Sequence, residues 1–93
     1  MALTFEWDPA KARSNLAKHG VDFPEAATIF GDPLSFTVPD PDHSVSEQRY
    51  VTMGFSFRRR LLVVAHTEAG YRLRIISARR AKRAERRQYE EGT

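Results

Sequence analysis

The chain predicts an α+β fold: a mostly antiparallel sheet of about 4–5 strands, two helices near the N-terminus and one at the C-terminus, in the order β-α-α-β-β-β-β-α. Three observations carry this. A period-two run, Leu3-Thr4-Phe5-Glu6-Trp7, changes abruptly to the helix start Asp8-Pro9. A second start of the same kind follows at Asp22-Phe23-Pro24-Glu25. Alternating apolar runs then fill most of the second half, joined by connections too short for a parallel crossover. The helices are expected on one side of the sheet.

Each element has a local reason. Asp8 can accept free N–H groups of the first turn, and Pro9 has no N–H to lose there, so a helix should run to Lys18 or His19. Ala10, Leu16 and Ala17 would form its small apolar face, with Gly20 as the left-handed stop. Asp22 starts a short second helix that ends before Gly31-Asp32-Pro33. Leu34 to Val38 reads as a strand, and Pro39 to Ser44 as an acidic, turn-rich loop. Strands are expected at about Glu47 to Phe57, Arg60 or Leu61 to Thr67, and Tyr71 to Ser77, turning at Arg58-Arg59 and Glu68-Ala69-Gly70. Ser77 would then cap a last helix from Ala78 to Glu91, too polar to be core.

With 93 residues and 41% hydrophobic content, residues 1–93 suit one domain, because a chain this short buries only about 60–65% of its unfolded surface. The absence of cysteine excludes disulfides, thiolate catalysis and cysteine-based zinc sites. No stretch approaches the ~18 apolar residues of a membrane span, and the N-terminus lacks the basic and apolar regions of a leader. A cytoplasmic protein with no membrane partner is expected.

The charge is divided along the chain. Up to Gln48, three Lys/Arg stand against eight Asp/Glu; from Arg49 onward, twelve stand against four. The second half therefore attracts polyanions, of which nucleic acid is the commonest. The acidic first half would complement a basic partner, or keep nucleic acid off the wrong face.

Four separated motifs stand in order: Phe5-Glu6-Trp7-Asp8-Pro9 leading through Asn15 to Lys18-His19-Gly20-Val21-Asp22-Phe23 and Ala26; Phe30 with Pro33; Glu47, Arg49 and Gly54; and Arg74-Ile75-Ile76-Ser77-Ala78-Arg79-Arg80-Ala81 with Glu85 and Tyr89. Together they cover nearly the whole chain, and the set resembles the BrnT toxins. The resemblance implies a RelE-like fold and a type II toxin: a ribonuclease that inhibits translation. It also implies a ribbon-helix-helix antitoxin of the BrnA kind, which neutralises the toxin and forms with it a hetero-oligomer that binds operator DNA.

RNA cleavage without a metal needs a base for the 2′-OH, fixed positive charge at the phosphate and an acid for the 5′-oxygen. Glu47 or His66 are candidates for the base; Arg49, Arg74 and Arg79 for the charge; His66, His19 or Tyr89 for the acid. Each has a bland alternative. His66 alternates with apolar neighbours and suits a half-exposed strand position; Glu47 and Arg49 suit a cross-strand ion pair; Arg79 suits a pair with Glu85 or Glu47. Arg79 and Arg80 at a strand-to-helix junction would meet the free N–H groups of a helix start. Lys82 and Arg83 would add RNA attraction, although the basic residues of the last helix and Arg58-Arg59-Arg60 are ordinarily solvated. Lys18 and His19 fit a plain helix end, and only the resemblance implies that they contact substrate. Phe5, Trp7 and Tyr50 read as core. No cofactor is expected: the three histidines lack metal-ligand spacing, with only Asp40, Asp42 and His43 sharing one loop. The alternative to an enzyme is a nucleic-acid- or antitoxin-binding module without turnover, acting as a corepressor.

Overall fold

The structure is a computed structural model that describes residues 3–40 and 48–92. The elements are β1 (Thr4–Glu6), α1 (Pro9–His19), α2 (Phe23–Ala27), a 3-10 turn (Thr28–Gly31), β2 (Phe36–Pro39), β3 (Arg49–Phe55), β4 (Leu61–Ala69), β5 (Arg72–Arg80) and α3 (Arg83–Glu91). The strands form one sheet in the order β1-β5-β4-β3-β2. All neighbours are antiparallel except β1, which lies parallel to β5 with Thr4 opposite Arg72.

The local start and stop signals act as the sequence leads one to expect. Asp8 accepts from Ala10 N at 3.1 Å, Asp22 accepts from Glu25 N at 2.7 Å, and Gly20 adopts φ +70°. The inner face of α1 differs from expectation. Ala10, Leu16 and Ala17 face solvent, whereas Asn15 is buried with Ala12 packed beside the core. Asn15 Nδ2 donates to Val21 O (3.0 Å) and Ala78 O (2.8 Å), and its Oδ1 accepts from Ala78 N (3.0 Å). The side-chain amide thus meets β5 as a neighbouring strand would, satisfying backbone groups beyond the end of β1.

The helices lie on both faces of the sheet, not on one. Leu62 and Val64 of β4 and Leu73, Ile75 and Ala78 of β5 point to the α1/α2 side and pack on Val21, Phe23, Ala26 and Ile29. Phe5 and Trp7 join this core, as their alternation predicts. Leu61 and Val63 of β4 point the other way, with Met53 and Tyr89 of α3, flanked by Phe36, Val51, Phe55 and Ala81. Gly54 in β3 is required by close approach: a Cβ there would lie 2.8 Å from Ser35 Cβ.

The junction between β5 and α3 falls later than expected. β5 stays paired with β4 through Arg80 opposite Leu62, and Ala81 N still donates to Leu61 O at 2.9 Å. Pairing therefore overrides the helix propensity of residues 78–82, and Lys82, not Ser77, occupies the cap position. Glu85 completes that start by accepting from Lys82 N at 2.8 Å.

The charge division in sequence is partly healed in space. Glu6 pairs with Arg72 and Arg74 across the β1–β5 contact. Buried Glu25 pairs with Arg60 and accepts from Ser56 Oγ at 2.7 Å, while Arg60 also reaches Gly20 O at 3.1 Å. Arg60 is therefore a bolt between the β3–β4 turn and the α1–α2 corner, in contrast to the solvated turn expected for it.

Candidate functional site

On the α3 face, the sheet and α3 enclose a groove of about 490 Å³. Its floor is apolar, built by Val51, Met53, Val63 and Ala65, which share one face of β3 and β4 by strand alternation. Arg49, Asp40, Ser77, Arg79, Glu85 and Gln88 supply its polar lining. Arg49 and Arg79 reach it from different strands, and Glu85 and Gln88 reach it from α3.

Arg79 is held by a two-pronged contact, Nη1 to Glu85 Oε1 at 2.8 Å and Nη2 to Oε2 at 2.7 Å. These bonds, opposed by burial and aided by Lys82 N, lower the Glu85 pKa to about 2. Glu85 is therefore ionised at neutral pH and too weak a base to take a hydroxyl proton. Its chemical capacity is to fix the guanidinium plane at the rim of the groove.

The sequence-derived candidates do not all converge here. His66 lies on the opposite face, fully buried, where a half-exposed strand position was expected. Its Nε2 lies 2.7 Å from Thr52 Oγ1, Tyr50 stacks on the ring at 6.0 Å, and Phe30 meets it edge-on at 5.2 Å. Nδ1 has no hydrogen-bond partner among the described residues. Burial pushes its pKa down to about 4, partly opposed by the Thr67 backbone, so the ring is neutral at physiological pH and shielded from solvent.

Tyr89 is also buried. Its hydroxyl donates to Asp32 Oδ2 at 2.6 Å, and burial followed by that carboxylate raises its pKa to about 12. Phe55 and Phe36 flank the ring at 5.4 and 6.4 Å. This tyrosine anchors α3, and its proton is engaged by Asp32.

Arg74 is tied to Glu6 at the β1 end of β5, away from the groove lining. Arg80 is exposed and, by alternation, points to the face opposite Arg79; Lys82 and Arg83 are exposed at the start of α3. The later helix start leaves Arg79 and Arg80 in β5, so neither sits on a helix N-terminus. Lys18 and His19 end α1 and line a separate hollow of about 190 Å³ with Lys11, Ser14, Asn15, Ile76 and Ser77. Glu47, Asp42 and His43 lie outside the described residues. Among the described residues, no cluster of three or more His, Asp or Glu could hold a metal ion. Ser77 was legible in sequence only as a helix cap, and nothing in the pattern announced its place between the two hollows.

A family model described as "Ribonuclease toxin, BrnT, of type II toxin-antitoxin system" matches residues 7–85. The chain belongs to that family. Its fold is similar to that in a 1.1 Å crystal structure of the Brucella abortus ribonuclease toxin BrnT, with a TM-score of 0.68 and 24% sequence identity over 88% of this chain and 100% of the other. No curated protein sequence matches it. The family match takes in the smaller hollow and, except for Gln88, the lining of the groove, so Arg49, Arg79 and Glu85 lie within the matched region. No helix among the described residues is long and apolar enough to cross a membrane.

Proposed function

We propose that this chain is an endoribonuclease that cuts RNA by attack of the 2′-oxygen on the adjacent phosphate, inhibits translation in the cytoplasm and is neutralised by a BrnA-like antitoxin. The toxin–antitoxin hetero-oligomer would bind operator DNA, as in the family. The observation that carries the reading is that Arg49 and Arg79 both line one groove. Two long guanidinium side chains reaching one groove from β3 and β5 can hold a phosphate and stabilise the charge that grows on it during attack. Glu85 orients one of them, which favours positioning over chemistry for this carboxylate.

The roles divide accordingly. Arg79 and Arg49 supply charge; Tyr89 and His66 hold the scaffold. Glu47, two residues before Arg49, is the carboxylate that the sequence offers as base. Arginine charge makes a metal unnecessary for this step. The test is cleavage of a 5′-labelled RNA with and without EDTA, beside Arg79→Ala and Arg49→Ala. Metal-independent cutting that leaves 2′,3′-cyclic phosphate and 5′-hydroxyl ends is expected, and 5′-phosphate ends would overturn the mechanism.

A second reading is a binding module that captures the antitoxin without turnover. The apolar floor and the occupied donors of Arg79 favour it. RNA binding or antitoxin binding with no cleavage by any preparation, ribosomes included, would select it.

A further inference from the structure

We infer that the hollow between α1 and β5 is a phosphate subsite for the RNA strand that enters the groove, a reading that rests on the ribonuclease function proposed above. The hollow is lined by Lys11, Ser14, Lys18 and His19 from one stripe of α1, facing Ile76 and Ser77 of β5. Positions 11, 14 and 18 recur at helical spacing, so the two ammonium groups and the Ser14 hydroxyl share one side of α1. Asn15, on the same stripe, is bonded at both ends of its amide to Ala78 of β5 and fixes the distance between helix and strand.

The lining carries no carboxylate. That distinguishes it from the paired arginines of the fold, where Arg60 is matched by Glu25, Arg72 and Arg74 by Glu6, and Arg79 by Glu85. Among the described residues, the side chains of Lys11, Ser14, Lys18, His19 and Ser77 have no hydrogen-bond or ion-pair partner. Two lysines, an imidazole and two hydroxyls without an internal anion form a recognition set for phosphate oxygens.

Ile76 and Ser77 line this hollow and the larger groove alike. They sit where β5 departs from regular pairing, at the bulge opposite Ala65 and His66, and beyond the last pairing with β1 at Arg74. The two hollows therefore adjoin across the edge of β5. A single strand can cross that edge with one phosphate toward Arg49 and Arg79 and a neighbouring phosphate toward Lys11 and Lys18. Continuity with the groove favours a phosphodiester in a chain over a free phosphate.

The test is fluorescence polarisation of a labelled single-stranded oligoribonucleotide with 2′-O-methyl groups, which permits binding and blocks 2′-oxygen attack. Lys11→Ala with Lys18→Ala should weaken binding roughly tenfold in about 0.1 M salt and lower the slope of log K against log salt by about 1.4, since each single-strand phosphate contact contributes about 0.7. Lys11→Arg with Lys18→Arg should restore the slope, and Arg13→Ala with Arg58→Ala, which removes the same charge elsewhere, should change it far less. An unchanged slope in the Lys11/Lys18 variant, or equal losses in both alanine pairs, would overturn the subsite. Inorganic phosphate that shifts the Lys18 and Ser77 amide resonances as strongly as the oligonucleotide would make it a free-phosphate site and overturn the strand assignment. Cleavage of unmodified RNA is read separately: slope-dependent binding without cleavage keeps the subsite and removes the ribonuclease, whereas cleavage with an unchanged slope removes the subsite alone. A wild-type chain that binds no RNA overturns both.

Discussion

On the α1/α2 face of the sheet, Asn15, Glu25 and His66 are buried among Phe23, Ile29, Leu62 and Ile75, and the bonds of Asn15 and Glu25 tie one chain segment to another. On the α3 face, Arg79 and Glu85 are only partly buried and their contact borders an open groove. Both faces hold an arginine–glutamate pair, yet the pairs differ in what surrounds them. Glu25 is 1% exposed and holds a partly exposed Arg60, so that pair is anchored in the interior and acts as structure. Arg79 is 34% exposed and keeps a side toward solvent, so its pair can be entered by a ligand. Burial, more than residue type, separates a charge that holds a fold from one that can act on a substrate.

Substitution can break this contrast. The largest expected effect is on chemistry: Arg79→Ala should reduce RNA cleavage by roughly 10²–10³-fold while lowering stability by only about 1 kcal/mol, as the partner Glu85 becomes hydrated. A cleavage assay beside urea denaturation checks this, and retained cleavage would move the site elsewhere. Glu25→Gln should do the reverse, costing about 3 kcal/mol because the buried partner of Arg60 loses its charge and one of its two acceptor oxygens becomes a donor facing donors, with cleavage per folded molecule kept. A loss below about 1 kcal/mol would mean that Arg60 is solvated after all.

His66 sharpens the comparison through pH. Its folded pKa of about 4 lies below the ordinary 6.5, so the unfolded chain binds the proton more readily. Its contribution to stability is complete above pH 6.5 and is lost as pH falls toward 4, to a limit of about 3 kcal/mol. Denaturation midpoints taken across that window should slope in the wild type and flatten in His66→Gln; equal slopes would place the proton on another group. The smallest effect is expected from Tyr89→Phe, about 1 kcal/mol from the lost bond to Asp32, with cleavage within about twofold. A large fall in cleavage at unchanged stability would return Tyr89 to the chemistry.

What was legible in the sequence follows the range of the forces involved. Asp8, Asp22 and Gly20 act within one helical turn, and their roles could be read from neighbours alone. Alternation revealed the strands and the core roles of Phe5 and Trp7 for the same reason. The end of β5 was misplaced because residues 78–80 are good helix formers held extended by β4, a partner distant in sequence. His66 looked half-exposed because alternation separates two faces without saying that both are covered. Arg60 and Asn15 were opaque because their partners, Glu25 and Ala78, lie 35 and 63 residues away. At the site, Arg49 and Arg79 could be singled out by charge and motif, but the bidentate partner that orients Arg79 was only one of two carboxylates open to it.

The bond between Asn15 and Ala78, with the pairing of Thr4 beside Arg72, also has a consequence for the order of events during synthesis. Both join the first part of the chain to the last strand, and such distant contacts form late because a long loop must close first. While residues 72–80 are still inside the ribosome, α1 has no strand to lie against and neither hollow has its shared wall. Glu85 and the rest of α3 emerge later still. The nascent chain therefore cannot display a finished groove until β5 and α3 have both left the ribosome, which delays any activity of that groove to that moment.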